Sequence, residues 1–285
     1  MSDLAEFLAE VYLPARTLCA GWIGHLQVAV RLFQAWNGPT RISDLSDDLV
    51  SRFVVHRCRQ VSAVTANNNR RAILALWRCA WRKRLHAELP RDVPKAPATT
   101  DEPEAWLLEE IERLLDVAQR WPGNCNGSLA GQFWPALILT LYDTGLRIGA
   151  ALQIRTVDVD LERRAVLARG RSQKNRTGQW LRISEQTARA VAAIYRPAYK
   201  LLFNWPYTQQ YLTRRFRKLI DAAGLAQPAK PFHKFRKSCA SYTLAAGGNP
   251  TIQLGHSSPS VTRVYLDPRI VQRQQAADIL PRPKF

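Results

Sequence analysis

Between Glu88 and Glu104 the chain reads ELPRDVPKAPATTDEPE, with prolines at 90, 94, 97 and 103. Proline fixes φ, lacks an N–H and pushes the residue before it out of the helical region. No helix or interior strand can run through such a stretch, and it shows no apolar periodicity. It is read as an extended linker. The 285-residue chain therefore divides into a helical domain at 1–90, a linker at 91–102 and a larger domain at 103–285. Both domains have an ordinary size.

The first domain reads as all helix. Asp3 to Tyr12 forms a short helix ended near Pro14. Residues 16–36 place Leu18, Trp22, Leu26, Val30 and Phe33 on one stripe, closed by Asn37-Gly38-Pro39. Ser43 or Ser46 caps the next helix. A last helix, about Thr65 to Leu85, has an apolar face of Ile73, Leu76, Trp77, Ala80 and Trp81. Asn67, Asn68 and Arg70 crowd its start, and Arg71, Arg78 and Arg82 line another face. This face suits DNA, with guanidiniums on phosphates and amides near base edges, or else it is a solvated charged face.

The second domain opens with a helix over Pro103–Gln119, then an apolar one over Phe133–Tyr142. Short strands are expected near Ile154–Val159, Arg164–Arg169 and Gln179–Ile183, the last two joined by GRSQKNRTG as in a hairpin. From Ser184 the pattern is helical again. The fold class is mainly α with a small antiparallel sheet.

The formal charge is +18, and residues 201–285 hold thirteen Lys/Arg against three Asp/Glu. Such an excess repels itself unless a polyanion neutralises it, and nucleic acid does so with release of condensed counterions. No run of about 18 apolar residues is present, so no membrane span or membrane partner is expected. The acidic start MSDLAEFLAE is unlike a signal peptide. The odd number of scattered cysteines (Cys19, Cys58, Cys79, Cys125, Cys239), with no CxxC pair, argues against a disulfide framework or a zinc site. They are read as small buried hydrophobes in a reducing, cytoplasmic setting.

Four pieces of the second domain belong together: TGLRIGAAL (144–152), Lys174 in the hairpin turn, HKFR (233–236) and LGHSSPSVTRVY (254–265). In this order they resemble the signature of the tyrosine recombinases of the phage-integrase family: an Arg, a hairpin Lys, a His-x-x-Arg, a Leu-Gly-His and a Tyr nine residues after that His. The resemblance covers essentially the whole chain, since the first domain is similar to the family's core-binding domain. It assigns catalytic positions to Arg147, Lys174, His233, Arg236, His256 and Tyr265. It implies site-specific cleavage and rejoining of double-stranded DNA through a 3′-phosphotyrosine. It also implies a homo-oligomer (a tetramer) on DNA, a nucleoid-associated location, and no metal, ATP or other cofactor.

Elementary chemistry agrees with these roles. Two guanidiniums clamp the non-bridging oxygens of a crowded, highly charged phosphorane more rigidly than lysines do. A free phenol with a pKa near 10 is a poor nucleophile at neutral pH. Nearby arginines favour its phenolate, and a histidine accepts its proton. The leaving 5′-oxygen needs a proton. Lys174 suits that task better than its neighbours Arg171 and Arg176, because arginine hardly gives up a proton. Tyr207, Tyr211 and Tyr242 do not follow Leu-Gly-His and are read, like Trp180 and Trp205, as packing residues.

The chain departs from the family pattern in three places. Ala150 stands where an acid usually follows the first Arg, Lys237 where His often follows the second, and the stretch from Gly247 to Gly255 is about one helical turn short. A lost turn keeps the helical phase, so His256 is expected to point inward. Two other readings are a type IB topoisomerase and a DNA-binding protein with a decayed site. The residues after Tyr265 are expected to dock on a neighbouring copy through Ile270, Val271, Ile279 and Leu280.

Overall fold

The computed structural model describes residues 3–99, 102–170 and 178–271. Lys174, Ile279 and Leu280 lie outside the described residues. The chain forms two compact units, Met1–Thr100 and Asp101–Phe285.

In the first unit, α1 (Leu4–Glu6) continues as a π-helical turn over Phe7–Tyr12, capped by the Asp3 carboxylate. Three longer helices follow: α2 (Ala20–Asn37), α3 (Asp47–Cys58) and α4 (Ala63–Arg82). Ser46 and Ser62 cap α3 and α4 through their hydroxyls. Helices α2 and α3 both pack on α4. Leu26, Val30, Phe33, Phe53, Ile73, Leu76 and Trp77 close the core between them. Trp81, expected in that apolar face, is 41% exposed.

The proline-rich stretch is extended, as its sequence requires, but its first part belongs to this unit. The Trp77 indole donates to the Glu88 carbonyl (2.9 Å), and the Asp47 carboxylate accepts the Arg91 and Asp92 amides. Asn67 exchanges both amide groups with the backbone of Ala96, and Arg70 donates to the Val93 carbonyl. An extended segment has no internal backbone partners, so α4 side chains satisfy it.

The second unit begins helix α5 (Leu108–Gln119) five residues later than the sequence pattern suggests. Its start is set by caps: the Leu107 amide donates to Glu110, and the Leu108 amide to the Tyr242 hydroxyl. A small hairpin, β1 (Asn124–Cys125) and β2 (Ser128–Leu129), precedes the buried helix α6 (Ala130–Thr144). Gly145 ends α6 in the left-handed region, φ +62°, and the chain re-enters helix as α7 (Ile148–Ala151).

Strands β3 (Val159–Asp160), β4 (Ala165–Ala168) and β5 (Gln179–Arg182) form an antiparallel sheet, with Val166 opposite Leu181 and Ala168 opposite Gln179. The buried Asp158 carboxylate holds the sheet's base, accepting Arg155 Nε at 3.0 Å and Arg169 Nε at 2.7 Å. Helices α8 (Glu185–Ile194), α9 (Gln209–Ala222), α10 (Pro231–Ala245), α11 (Pro250–Gln253) and α12 (Pro259–Arg263) complete the unit. Trp134, Phe203, Phe216 and Phe235 lie in its core. No helix among the described residues is long and apolar enough to cross a membrane. Cys79, Cys125 and Cys239 are buried as expected, whereas Cys19 and Cys58 are exposed.

A Cβ on Gly145 would stand 2.5 Å from Leu254 Cδ2 and 3.0 Å from Cys239 Sγ. Gly145→Ala combines that clash with the cost of a left-handed L-residue, about 1–2 kcal/mol. Thermal unfolding of the variant should show a loss of at least that size; an unchanged midpoint would contradict the packing described.

Candidate active site

Helix α10 starts with proline at its first position, where no hydrogen bond is lost. His233 and Arg236, three residues apart, share one face of it. Arg236 is 1% exposed. Its Nη1 donates to the Gly145 carbonyl (2.6 Å), and its Nη2 to the Leu254 carbonyl (2.9 Å) and His256 Nε2 (2.8 Å). One guanidinium thus ties the end of α6 to the loop after α11. Its Nε is buried with no hydrogen-bond partner among the described residues.

Because Arg236 can only donate, His256 Nε2 must accept, and the ring proton sits on Nδ1. That nitrogen lies 3.0 Å from Thr262 Oγ1, which in turn meets Thr251 Oγ1 at 3.0 Å. Arg236 therefore selects the tautomer, and Thr262 Oγ1 accepts the ring proton. The stretch from Gly247 to Gly255 contains the four-residue α11, and His256 faces Arg236.

Tyr265 follows α12 and is 9% exposed. Its ring centre is 4.9 Å from that of His256, 5.2 Å from that of His233 and 5.4 Å from the Arg236 guanidinium carbon. Arg147 occupies the N-cap of α7 and lines, with His233, Lys230, Gln209 and Thr213, a cleft of about 660 Å³.

Burial pushes the pKa of His233 down to about 4, reinforced by Arg236, Lys237, Lys230 and Arg147. Burial, then Arg236 and Arg147, lowers His256 to about 4 as well. Arg236 itself falls to about 10 through burial and Arg147, with the Tyr265 phenol partly opposing this. Lys237 is also lowered, mainly by burial. The pocket is a concentrated positive field holding two neutral imidazoles.

Five of the six sequence-derived positions thus fall in one unit around α10: Arg147, His233, Arg236, His256 and Tyr265. Lys174 lies outside the described residues. Ala150 is buried in the core and offers no brace for Arg147. Of the rival tyrosines, Tyr242 serves as the α5 cap, while Tyr207 and Tyr211 gather around Trp205. Trp180, expected to pack, is 56% exposed.

On α4, Arg71, Arg78 and Arg82 are exposed along one face. Asn67 and Arg70 correct the expectation, because their polar groups are committed to the extended segment that follows. Asn68 is half-buried. A second basic face was not singled out from the sequence. Gln210, Arg214 and Lys218 are exposed on α9, opposite the buried Leu212, Phe216 and Ile220. The helical period of QQYLTRRFRKLI carried that signal. Among the described residues no three His, Cys, Asp or Glu side chains gather as a metal site.

The phage integrase family model matches residues 107–270, so the chain belongs to the phage integrase family. It is 26% identical over 191 residues to tyrosine recombinase XerD of Corynebacterium glutamicum, covering 63% of this chain and 62% of that protein. An integrase/recombinase of Escherichia coli is 24% identical over 287 residues, covering 83% of this chain and 81% of its own. The fold is similar to that of the Tn1549 transposon integrase in complex with circular intermediate DNA, with a TM-score of 0.75 at 15% identity over 98% of each chain. It is also similar to a lambda integrase dimer bound to a core site, with a TM-score of 0.76 at 15% identity over 96% of this chain and 99% of that one.

The two lowered histidines give a stability prediction. In the unfolded chain each binds its proton near pH 6.5, and in the folded chain only near pH 4. Between those values the unfolded state holds more protons, so stability is complete above about pH 6.5 and is lost as the pH falls toward 4. Ring-proton NMR titration of the DNA-free chain should show both residues titrating near 4. A midpoint near 6.5 for either would contradict the burial and charge environment.

Proposed function

We propose that this chain is a site-specific DNA recombinase or integrase that uses Tyr265 as its nucleophile. The observation that supports it most is the packing of Tyr265 against Arg236, His256 and His233, with Arg147 in the adjoining cleft. In this reading a DNA phosphate enters beside Arg147 and Arg236, whose guanidiniums bind its non-bridging oxygens. A neutral histidine accepts the phenol proton. The phenolate attacks phosphorus, the P–O5′ bond breaks, and Lys174 protonates the leaving 5′-oxygen. The 3′-phosphotyrosine keeps the bond energy, so another 5′-hydroxyl reverses the step without ATP or a metal.

Double-stranded DNA is the partner. In this reading the Arg71, Arg78 and Arg82 face contacts phosphates, and the exposed polar face of α9 lies next to the cleft and contacts the duplex there. The solved relatives named above are bound to DNA, and one is a dimer, which agrees with action as a multimer of this chain on paired sites.

The test is a randomised pool of nicked duplexes in which the cleaved end diffuses away and traps the intermediate. The wild-type chain should give a protein–DNA adduct that survives denaturant, and Tyr265→Phe should give none while still binding DNA. Recovered adducts also reveal the preferred sequence. An adduct of equal yield from Tyr265→Phe would overturn the assignment.

A further inference from the structure

Two residues beyond Tyr265 the chain buries a carboxylate. Asp267 is 1% exposed, although removing an ion from water is expensive unless its lone pairs are filled. They are filled. Asp267 accepts the Ala105 amide at 2.7 Å, the Arg269 amide at 2.9 Å and Arg269 Nη2 at 2.6 Å. Arg269 Nη2 also donates to the Ala105 carbonyl at 3.0 Å. Acid and base together therefore grip both polar groups of one peptide residue 162 positions away.

Ala105 is a firm anchor. It is fully buried, as is its neighbour Trp106. The Trp106 carbonyl accepts the Ser238 hydroxyl (2.8 Å), and its indole donates to the Pro231 carbonyl (3.0 Å), so both contacts are to α10. The same helix reaches the tyrosine segment through Ser241. Its Oγ accepts the Asp267 amide (2.9 Å) and lies 3.3 Å from the Tyr265 carbonyl oxygen. The backbone on either side of Leu266 is thus fixed to the helix that carries His233 and Arg236.

We infer that Asp267 is a positioning residue: with Arg269 it latches the chain after the nucleophile onto Ala105 and so holds the Tyr265 hydroxyl against its own Arg236 and His256. The inference rests on Tyr265 being the nucleophile. Asp267 touches none of the reacting atoms. Its whole effect passes through the placement of one side chain, which a misplacement of about 1 Å weakens by about 100-fold in rate.

The test uses the full chain and the nicked duplex recovered with the wild type. Asp267→Ala and Asp267→Asn should form the covalent adduct about 100-fold more slowly with unchanged affinity for that duplex. A second measurement separates placement of the tyrosine from damage to the pocket. In Tyr265→Phe the hydroperoxide anion, added as hydrogen peroxide, replaces the phenolate: it attacks phosphorus, the P–O5′ bond breaks, and the 5′-oxygen leaves with a proton. Tyr265→Phe and Tyr265→Phe/Asp267→Ala should then cleave at the same rate, because the arginines and histidines are untouched. Adduct formation by Asp267→Ala at the wild-type rate would overturn the inference. So would an equal fall in peroxide cleavage, which marks a collapse of the whole pocket. Absence of a wild-type adduct would instead refute the nucleophile assignment itself.

Discussion

The Arg236 guanidinium is buried with no counter-ion among the described residues, and the second unit is arranged around that fact. Desolvation costs an ion several kcal/mol even after relaxation. Here the compensation comes from two carbonyls and an imidazole. Among the described residues no carboxylate lies within ion-pair distance of it. The charge is held by dipoles and left unneutralised, with Arg147 close enough to lower its pKa further. Burial, reinforced by the same field, keeps His233 and His256 neutral, which is the state a proton acceptor needs.

This one contact set explains several local choices. Gly145 must be left-handed both to end α6 and to aim its carbonyl at Arg236. Leu254 must present its own carbonyl from the far side, which the short α11 achieves. His256 completes the circle from the same stretch. Arg236 sets the imidazole tautomer, and Thr262 takes the ring proton that results.

Much of this was legible in the sequence because it is local or repeats with a period. The prolines marked the extended segment, the apolar stripes of α2 and α4 marked the first core, and the ordered Arg, His-x-x-Arg, Leu-Gly-His and Tyr picked out five residues that the structure gathers around α10. What escaped is the set of interactions made across long separations. Nothing near Asn67 or Arg70 shows that they bind Val93 and Ala96, so their amide and guanidinium read as free for DNA. Tyr242 as the cap of α5 and Asp267 as the clamp of Ala105 join residues more than a hundred positions apart. The late start of α5 has partly the same origin, since one of its two caps comes from α10. The α9 face was missed for a different reason: the stretch was read only as helical, and its polar side was not separated from its apolar one.

The central claim is that Arg147 and Arg236 act on the charge of a single scissile phosphate. The most direct measurement replaces that phosphate with an uncharged methylphosphonate and compares cleavage by Arg147→Ala and Arg236→Ala on the two duplexes. If the guanidiniums serve to neutralise developing negative charge, each variant is severely slowed on the phosphate, by about 10²–10³ for one lost preorganised donor, and regains cleavage on the neutral substrate. Variants that stay folded and bind DNA, yet remain as inactive on the methylphosphonate as on the phosphate, would contradict the account.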